Sequence, residues 1–236
     1  MTSETQAPQV LTISPRLEHT ATVIFIHGLG DSGYGWLPVA EMYAADPDFD
    51  SVKWVLPHAS RRPVTANNGY TMPAWFDILE SGNEARQDVD GILASTRAID
   101  SLVQAEARTT RRVVLGGFSQ GAALAIIAGL STKTRLAGVA ALSGRVMVRD
   151  RLKSMVSLHA KELPVFVGHG TDDPLVRPEH VLDGVEFLKN EIGLSEAAGA
   201  GTPGISLHTY DGLAHVVSER ELEDLRNWLK VVVSAV

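Results

Sequence analysis

The sequence contains no cysteine, and this absence excludes several kinds of chemistry. Without thiols the chain has no disulfide framework, no thiolate metal site, no cysteine nucleophile and no site for S-palmitoylation. The lack of cysteine fits a reducing compartment such as the cytoplasm. The 236 residues, 44% of them hydrophobic, suit one domain with a full core.

The sequence also lacks an excess of positive charge and any long hydrophobic run. Its 21 Lys and Arg against 28 Asp and Glu give a formal net charge of −7, which argues against nucleic-acid partners. The longest apolar runs, residues 122–128 and 230–236, are too short for stable membrane insertion. Residues 1–8 are polar, do not resemble a secretory signal and are expected to be loose. These features predict a cytoplasmic protein, with the nucleus as an additional location.

The pattern that is present is an alternation of strands and helices. Continuous apolar runs such as residues 20–26 are typical of strands buried on both faces. Residues 58–83 are rich in turn formers and predict one long functional loop. The alternation predicts a single α/β domain over residues 1–236, with a mainly parallel sheet covered by helices on both faces. Strands are predicted at 10–14, 20–26, 52–56, 112–116, 136–142, 164–167 and 205–210, and helices at 36–43, 88–107, 122–128, 178–192 and 219–233.

Residues 117–121, Gly-Phe-Ser-Gln-Gly, join the predicted strand 112–116 to the predicted helix 122–128. A Gly-x-Ser-x-Gly sequence between a strand and a helix is the nucleophile elbow of α/β-hydrolases. The turn is so sharp that small residues are needed two positions before and after the serine. The serine takes a strained conformation that presents its hydroxyl above the sheet. The sequence therefore predicts Ser119 as a catalytic nucleophile.

Two later polar turns carry the remaining candidates for acyl transfer. His215 follows the last predicted strand on a glycine-containing turn, and it is our candidate for the base that deprotonates Ser119. Asp172 and Asp173 follow the strand 164–167, and either carboxylate could orient that histidine. The residues alone do not separate the two, although a following proline biases Asp173 towards an extended conformation. The order Ser, Asp, His is the one expected for this fold class.

The other histidines are weaker candidates for the base. His208 lies inside the last predicted strand, and His169 is expected to be buried support on the strand that carries the acids. In the glycine-rich turn after residue 26, the backbone rather than the ring of His27 is expected to matter. Four histidines are expected to be ordinary loop or surface residues: His19, His58, His159 and His180.

An acyl-transfer site also needs backbone N–H donors for the oxyanion. The N–H of Gln120, directly after the nucleophile, is one predicted donor. The second is expected from the glycine-rich turn after the strand 20–26, with Leu29 as the candidate. Gly28 and Gly30 on either side would allow the backbone to approach a substrate closely.

Five segments together resemble the acyl-protein thioesterase/carboxylesterase family of small α/β-hydrolases. The resemblance runs from about residue 20 to the C-terminus, and the combination of motifs is highly specific. The segments are His-Gly-Leu-Gly-Asp (27–31), Met-Pro-Ala-Trp-Phe-Asp (72–77), Gly-Gly-Phe-Ser-Gln-Gly-Ala (116–122), Leu-Ala-Gly-Val-Ala-Ala-Leu-Ser (136–143) and His-Gly-Thr-Asp-Asp-Pro-Leu-Val (169–176).

The resemblance implies a serine hydrolase that cleaves thioesters of S-acylated proteins and carboxylic esters, without cofactor or metal. It implies Asp173 as the acid, and Met72, Trp75 and Phe76 as the wall of an acyl channel. The chain departs from the family after Ser143, where Gly-Arg-Val-Met (144–147) replaces a segment that usually reads Gly or Cys, an aromatic residue, Leu and Pro.

Two other functions stay open at this stage. One is a short-chain carboxylesterase or lysophospholipase without a protein substrate, and the other is an inactive hydrolase fold used for binding. The oligomeric state is open between a monomer and a homodimer.

Overall fold

The computed structural model describes residues 7–80 and 86–234, so residues 1–6 of the predicted loose segment 1–8 lie outside the described part. The central element is a seven-stranded sheet. Its strands are β1 (Val10–Ile13), β2 (Ala21–Ile26), β3 (Val52–Pro57), β6 (Arg112–Phe118), β7 (Gly138–Leu142), β8 (Pro164–Gly170) and β9 (Gly204–Tyr210). The helices are α1 (Gly33–Ala44), α2 (Val89–Glu106), α3 (Gln120–Ser131), α4 (Arg149–Met155), α5 (Pro178–Phe187) and α6 (Glu219–Ser234).

The strands lie in the order β1-β3-β2-β6-β7-β8-β9, and only the edge strand β1 is antiparallel to its neighbour. The prediction of a mainly parallel sheet is therefore confirmed. Parallel strands place their carboxyl ends on one edge of the sheet, and ligands of such sheets bind there. The turns after β2, β6, β8 and β9 consequently meet at that edge, although they are far apart in the sequence.

Helices cover both faces of the sheet, because alternate residues of each buried strand point to opposite sides. Ile24 and Ile26 of β2 belong to the core under α2, α3 and α5. Val23, which precedes Ile24, and Phe25, which lies between the two isoleucines, belong to the core under α1 and α6. No helix within residues 7–80 and 86–234 combines the length and the apolar content needed to cross a bilayer.

The prediction of one long loop at residues 58–83 was wrong for most of its length. The structure has a hairpin there, formed by β4 (Arg61–Val64) and β5 (Tyr70–Pro73), while residues 81–83 lie outside the described part. The tip turns through Asn68 and Gly69, with φ angles of 53° and 73°. Strands of four residues that contain proline give no clear alternation, so the turn signals dominated the sequence pattern.

Several strands and helices are longer than their sequence pattern indicates. Strand β6 continues two residues beyond its predicted end, through Gly117 and Phe118, which pair with Ala141 and Leu142 of β7. Glycine adds no side chain to a hydrophobic pattern, so the continuing ladder could not be seen in the sequence. As a result, only Ser119 separates β6 from α3.

The first turn of α6 buries a carboxyl group. Glu221 is fully buried, and neither of its side-chain oxygens has a hydrogen-bond partner among the described residues. Burial raises the pKa of the Glu221 carboxyl to about 7; the dipole of the nearby Ser218 backbone N–H partly opposes the rise, and the charge of Asp224 adds to it. Because the unfolded chain has a pKa near 4.5 at this position, the folded state binds the proton more tightly.

We expect the free energy of unfolding to fall as the pH rises from about 4.5 to about 7, since the unfolded state loses the Glu221 proton first. The whole effect amounts to about 3 kcal/mol above pH 7. Glu221→Gln, which stays neutral, should remove it, so that the variant is more stable than the wild type at pH 8 but not at pH 4. Urea unfolding at both pH values measures the difference, with the exposed neighbour Glu223→Gln as control. Equal pH dependence in Glu221→Gln and wild type would contradict the assignment.

Candidate active site

The elbow places the Ser119 side chain at the carboxyl edge of the sheet. Ser119 has φ 54° and ψ −115°, a conformation that L-residues rarely adopt. Its N–H donates to the carbonyl of Leu142 at the end of β7 (2.8 Å), and its carbonyl accepts from Ala123 in α3 (3.1 Å). The strained turn is thus fixed on both sides, as predicted for a nucleophile elbow.

The glycines of the elbow are required by close contacts of the backbone. A Cβ atom at Gly121 would lie 2.1 Å from the carbonyl oxygen of Ile26, and one at Gly117 would lie 2.5 Å from the carbonyl oxygen of Gly121. Such distances are far below van der Waals contact. Any larger residue would move α3 away from β2 and β6, and with it the position of Ser119.

A chain of hydrogen bonds connects three side chains from separate turns. The Ser119 hydroxyl donates to Nε2 of His215 over 2.9 Å, and Nδ1 of His215 donates to Oδ2 of Asp173 over 2.6 Å. A carboxylate only accepts hydrogen bonds, so the proton of the neutral imidazole is on Nδ1 and Nε2 can accept from the serine. The structure brings the three candidates together in the geometry of a Ser-His-Asp triad.

The structure also separates the two adjacent carboxylates. Asp173 is buried, and its second oxygen, Oδ1, accepts from the N–H groups of Leu175 and Val176, both at 2.9 Å. Asp172 is exposed, and its carboxylate accepts from the hydroxyl of Thr171. Only Asp173 therefore contacts the imidazole, and its orientation is fixed by two backbone donors.

The turns that carry the acid and the base are bonded to each other. Strands β8 and β9 are neighbours, and beyond their ends the N–H of Asp172 donates to the carbonyl of Leu213 (3.0 Å). The N–H of Gly212 donates to the hydroxyl of Thr171 (2.9 Å). These bonds between the two turns hold His215 above the elbow, although both turns lie beyond the ends of the strands.

The glycine-rich turn after β2 is held by the ring of His27, which sequence reasoning assigned no role. The ring is fully buried, Nε2 accepts from the N–H of Ala59 (3.0 Å), and Nδ1 donates to the carbonyl of Gly28 (2.6 Å). Burial lowers the pKa of His27, and the Gly28 carbonyl and Asp31 only partly oppose this. A neutral imidazole thus fixes the backbone from which the predicted donor Leu29 projects.

The side chain of Gln120 connects the elbow to the loop 74–76. Its Oε1 accepts from the N–H of Trp75, and its Nε2 donates to the carbonyl of Phe76, both at 2.8 Å. The Trp75 indole donates to the carbonyl of His27 (2.9 Å), and the Ser95 hydroxyl donates to the Trp75 carbonyl. Trp75 therefore links the elbow, the glycine-rich turn and α2, and its indole is bonded to the glycine-rich turn.

A cleft of about 460 Å³ opens beside Ser119 and lies within the size range of ligand sites. Of the three predicted channel residues, Phe76 lines this cleft, whereas Met72 and Trp75 are not among its lining residues. Most of the wall is apolar, but the cleft is also lined by charged and polar side chains, namely Asp31, Asn67, Glu80, Arg145 and His180. The apolar lining residues are Leu29, Ala66, Phe76, Ile78, Phe118, Ala123, Met147, Leu175 and Val176.

Two further histidines border the site. His169 is buried, as predicted, and its Nε2 donates to the carbonyl of Val176 (2.8 Å), next to the backbone that holds Asp173. His180, which we expected to be an ordinary surface residue, lies at the wall of the cleft. Burial lowers the pKa of His180, and the positive charges of Arg145 and Arg177 lower it further.

The arrangement can perform nucleophilic acyl transfer. It contains a hydroxyl bonded to a neutral imidazole, a buried carboxylate that stabilises the imidazolium, and the first N–H groups of α3 beside the serine. Within residues 7–80 and 86–234, no group of three or more His, Asp or Glu side chains is placed to bind a metal ion.

Comparisons with known proteins agree with this arrangement. The model of the phospholipase/carboxylesterase family matches residues 7–233. Acyl-protein thioesterase 1 of Cryptococcus neoformans is 46% identical over 228 residues, which cover 93% of this chain and 95% of the relative. The crystal structure of Arabidopsis thaliana SOBER1 superimposes with a TM-score of 0.82 at 30% identity, covering 91% of this chain and 100% of that one. The crystal structure of Zea mays acyl-protein thioesterase 2 also superimposes with a TM-score of 0.82, at 25% identity, covering 96% of this chain and 100% of the other.

Proposed function

The chain belongs to the phospholipase/carboxylesterase family, and we propose that it hydrolyses acyl thioesters of S-acylated proteins, together with carboxylic esters, through Ser119, His215 and Asp173. The observation that carries the proposal is the continuous hydrogen-bond chain from the serine hydroxyl through the imidazole to the buried carboxylate. The curated thioesterase relatives support the substrate class.

In the first half of the reaction, Nε2 of His215 takes the proton of Ser119 while the serine oxygen attacks the acyl carbonyl. The N–H groups of Leu29 and Gln120 are proposed to bind the resulting oxyanion. The imidazolium, stabilised by Asp173, then gives its proton to the departing thiolate or alkoxide. The products of this half are the free thiol or alcohol and an acyl ester of Ser119.

In the second half, water replaces the leaving group. His215 takes a proton from the water, the hydroxide adds to the acyl carbonyl, and the collapse of the tetrahedral intermediate returns the proton to the Ser119 oxygen. The carboxylic acid leaves and the enzyme is restored. Each half uses the same base and the same oxyanion donors, so no additional group is required.

A thioester is expected to react far faster than the matched amide. The thiol of a cysteine has a pKa of about 8.5, so its thiolate leaves readily, whereas an amine must be protonated before it can leave. A peptide with S-palmitoyl cysteine should therefore release its thiol, detected with a thiol reagent, while the same peptide with an N-palmitoyl lysine stays intact. Thiol release no faster than in buffer would contradict the thioesterase function.

Acyl-chain length separates this proposal from the alternative of a short-chain carboxylesterase. The apolar wall of the cleft favours long chains, because each buried methylene contributes about 0.8 kcal/mol. Octanoyl has four methylenes more than butyryl, which contribute about 3 kcal/mol if all are buried, so kcat/KM for the p-nitrophenyl ester should be up to about two hundred times higher. A preference for acetyl or butyryl esters would favour the short-chain enzyme.

Labelling of Ser119 by a fluorophosphonate probe, read by mass spectrometry, would exclude the inactive binding fold.

Location and assembly belong to the same proposal. We place the protein in the cytoplasm, with the nucleus as a second compartment, which the absence of cysteine supports. A fluorescent fusion checks this placement. A homodimer is the assembly to test against a monomer, and sedimentation at several concentrations distinguishes the two.

A further inference from the structure

The two backbone donors proposed for the oxyanion come from different parts of the fold. Gln120 is the first residue of α3, whereas Leu29 belongs to the glycine-rich turn after β2. Close packing fixes the beginning of that turn, because a Cβ atom at Gly121 would lie 2.1 Å from the carbonyl oxygen of Ile26. The position of Leu29, three residues later, depends on the further contacts of the turn.

Residues 73–76, which we call the brace, are bonded to the glycine-rich turn on both sides of its predicted donor. The indole N–H of Trp75 donates to the carbonyl of His27 (2.9 Å), and the N–H of Gly30 donates to the carbonyl of Pro73 (2.8 Å). The first bond lies two residues before the donor, and the second lies directly after it. A shift of the brace would therefore turn or displace the N–H group of the donor.

The side chain of Gln120 fixes the brace to the elbow. Its amide accepts from the N–H of Trp75 and donates to the carbonyl of Phe76, both over 2.8 Å. The Ser95 hydroxyl of α2 holds the same segment by donating to the Trp75 carbonyl. Gln120 is buried, so its amide groups depend on these bonds. Gln120 thus offers one oxyanion donor from its backbone, and its side chain holds the segment that holds the other.

An oxyanion hole depends on the exact positions of its donors. Each donor must lie about 2.7–3.1 Å from the place of the oxyanion, and loss of one donor typically lowers kcat about a hundred- to a thousandfold. The carbonyl of a bound substrate carries less negative charge and gains less from the same donors. A change in the separation of the two N–H groups therefore weakens the transition state more than substrate binding.

We propose that the side chain of Gln120 positions the oxyanion hole: acting through the brace, it sets the separation between its own N–H group and that of Leu29. The inference rests on the proposed hydrolase function. It places Trp75 in the support of the oxyanion hole rather than in an acyl channel. The competing role for Gln120 is to shape the acyl wall, because its other partner, Phe76, lines the cleft.

The variant Gln120→Met removes both side-chain hydrogen bonds, keeps a side chain of similar length and leaves the backbone N–H in place. Two inhibitors of equal chain length are compared, octyl trifluoromethyl ketone and octyl methyl ketone. The Ser119 oxygen adds to the activated carbonyl of the first, the serine proton passes to Nε2 of His215, and the carbonyl oxygen becomes an oxyanion. The second stays a ketone and measures binding without the oxyanion.

Gln120→Met should raise the inhibition constant of the trifluoromethyl ketone about tenfold or more and change that of the methyl ketone less than about twofold. The values of kcat/KM for p-nitrophenyl butyrate and octanoate should fall by similar factors, because both esters form the same oxyanion. Equal weakening of the two ketones would indicate a general loss of structure and overturn the proposal. A loss confined to the octanoate would overturn it in favour of the acyl wall.

Trp75→Phe interrupts the same support at another point. It removes the indole N–H that bonds to His27, but it keeps an aromatic ring and the backbone groups that bond to Gln120. It should also weaken the trifluoromethyl ketone selectively. If both variants kept the wild-type preference for this ketone, the positioning role would be refuted.

The matched control is Gln87→Met, the same substitution at a glutamine outside the cleft. Oε1 of Gln87 accepts from the N–H of Val148 (2.7 Å), and the residue does not line the space beside Ser119. Both inhibition constants should stay within about twofold of the wild-type values, as expected for a residue that does not touch the oxyanion hole. A selective loss as large as that of Gln120→Met would contradict the proposal.

Failure of the positioning role and failure of the hydrolase give different results. If the wild type hydrolyses the esters and prefers the trifluoromethyl ketone, and the Gln120 and Trp75 variants do the same equally well, only the positioning role is refuted. If the wild type neither hydrolyses the esters nor prefers the trifluoromethyl ketone, the hydrolase function is refuted and the positioning role with it.

Discussion

Replacing Ser119 by alanine is expected to lower kcat/KM for p-nitrophenyl octanoate by at least a thousandfold. The change removes the one oxygen that bonds to Nε2 of His215, so no acyl-enzyme can form on this side chain. In serine proteases the loss of a triad residue costs up to about a millionfold in kcat, and the activity that remains comes from the oxyanion hole and substrate binding. A loss of a thousandfold corresponds to about 4 kcal/mol of transition-state stabilisation.

The fold should survive this change, because the Ser119 hydroxyl makes no capping hydrogen bond to α3. The matched control is Ser143→Ala, at the end of the neighbouring strand β7. Ser143 is fully buried and, like Ser119, has a positive φ, but its hydroxyl has no hydrogen-bond partner among the described residues. Its activity should stay within a few fold of wild type. Turnover by Ser119→Ala above about a thousandth of the wild-type rate would contradict a nucleophilic role.

The sequence was sufficient to predict the elbow, because the elbow is a local structure. Its glycines lie within two residues of Ser119, and the strand and helix that it joins have simple hydrophobic patterns. The alternation of elements then placed the turns of Asp173 and His215 at the same edge of the sheet. Both inferences need only short-range spacing and the general geometry of parallel sheets.

The sequence was insufficient wherever a side chain could point in more than one direction. Trp75 was expected in an acyl channel, but a buried indole needs a hydrogen-bond acceptor, and the carbonyl of His27 provides one. The acceptor lies 48 residues away in the chain, so no local pattern indicates it. The ring of His27 was missed for the same reason, because its partner Ala59 belongs to another loop.

The segment around Arg145 shows a second kind of limit. Its sequence departs from the family pattern, which indicated that the backbone beside the acyl site differs but not how it differs. The structure shows that Ser143 and Val148 have positive φ angles and that Gly144 packs closely on Ala122. Conformations with positive φ in residues other than glycine are set by tertiary contacts, so the sequence gives little warning of them.

Replacing Asp173 by asparagine is expected to lower kcat by about ten-thousandfold, or roughly 5–6 kcal/mol, as loss of the acid does in other triads. The structure gives the reason. Oδ1 of Asp173 accepts from the N–H groups of Leu175 and Val176, so the amide oxygen of an asparagine must take that position. Its NH₂ group then faces His215 and donates to Nδ1, which moves the imidazole proton to Nε2. A protonated Nε2 cannot accept the proton of Ser119.

Asp172→Asn is the matched control, because it removes the same charge one residue earlier. Asp172 is exposed and contacts the Thr171 hydroxyl instead of the imidazole, so its loss should change kcat by less than about threefold. If the two variants lost activity equally, net charge at the turn rather than the hydrogen bond to His215 would control the reaction. If only Asp172→Asn lost activity, the acid would be misassigned. The pair therefore tests the one assignment that the residues alone left open, and it does so with side chains of nearly identical size.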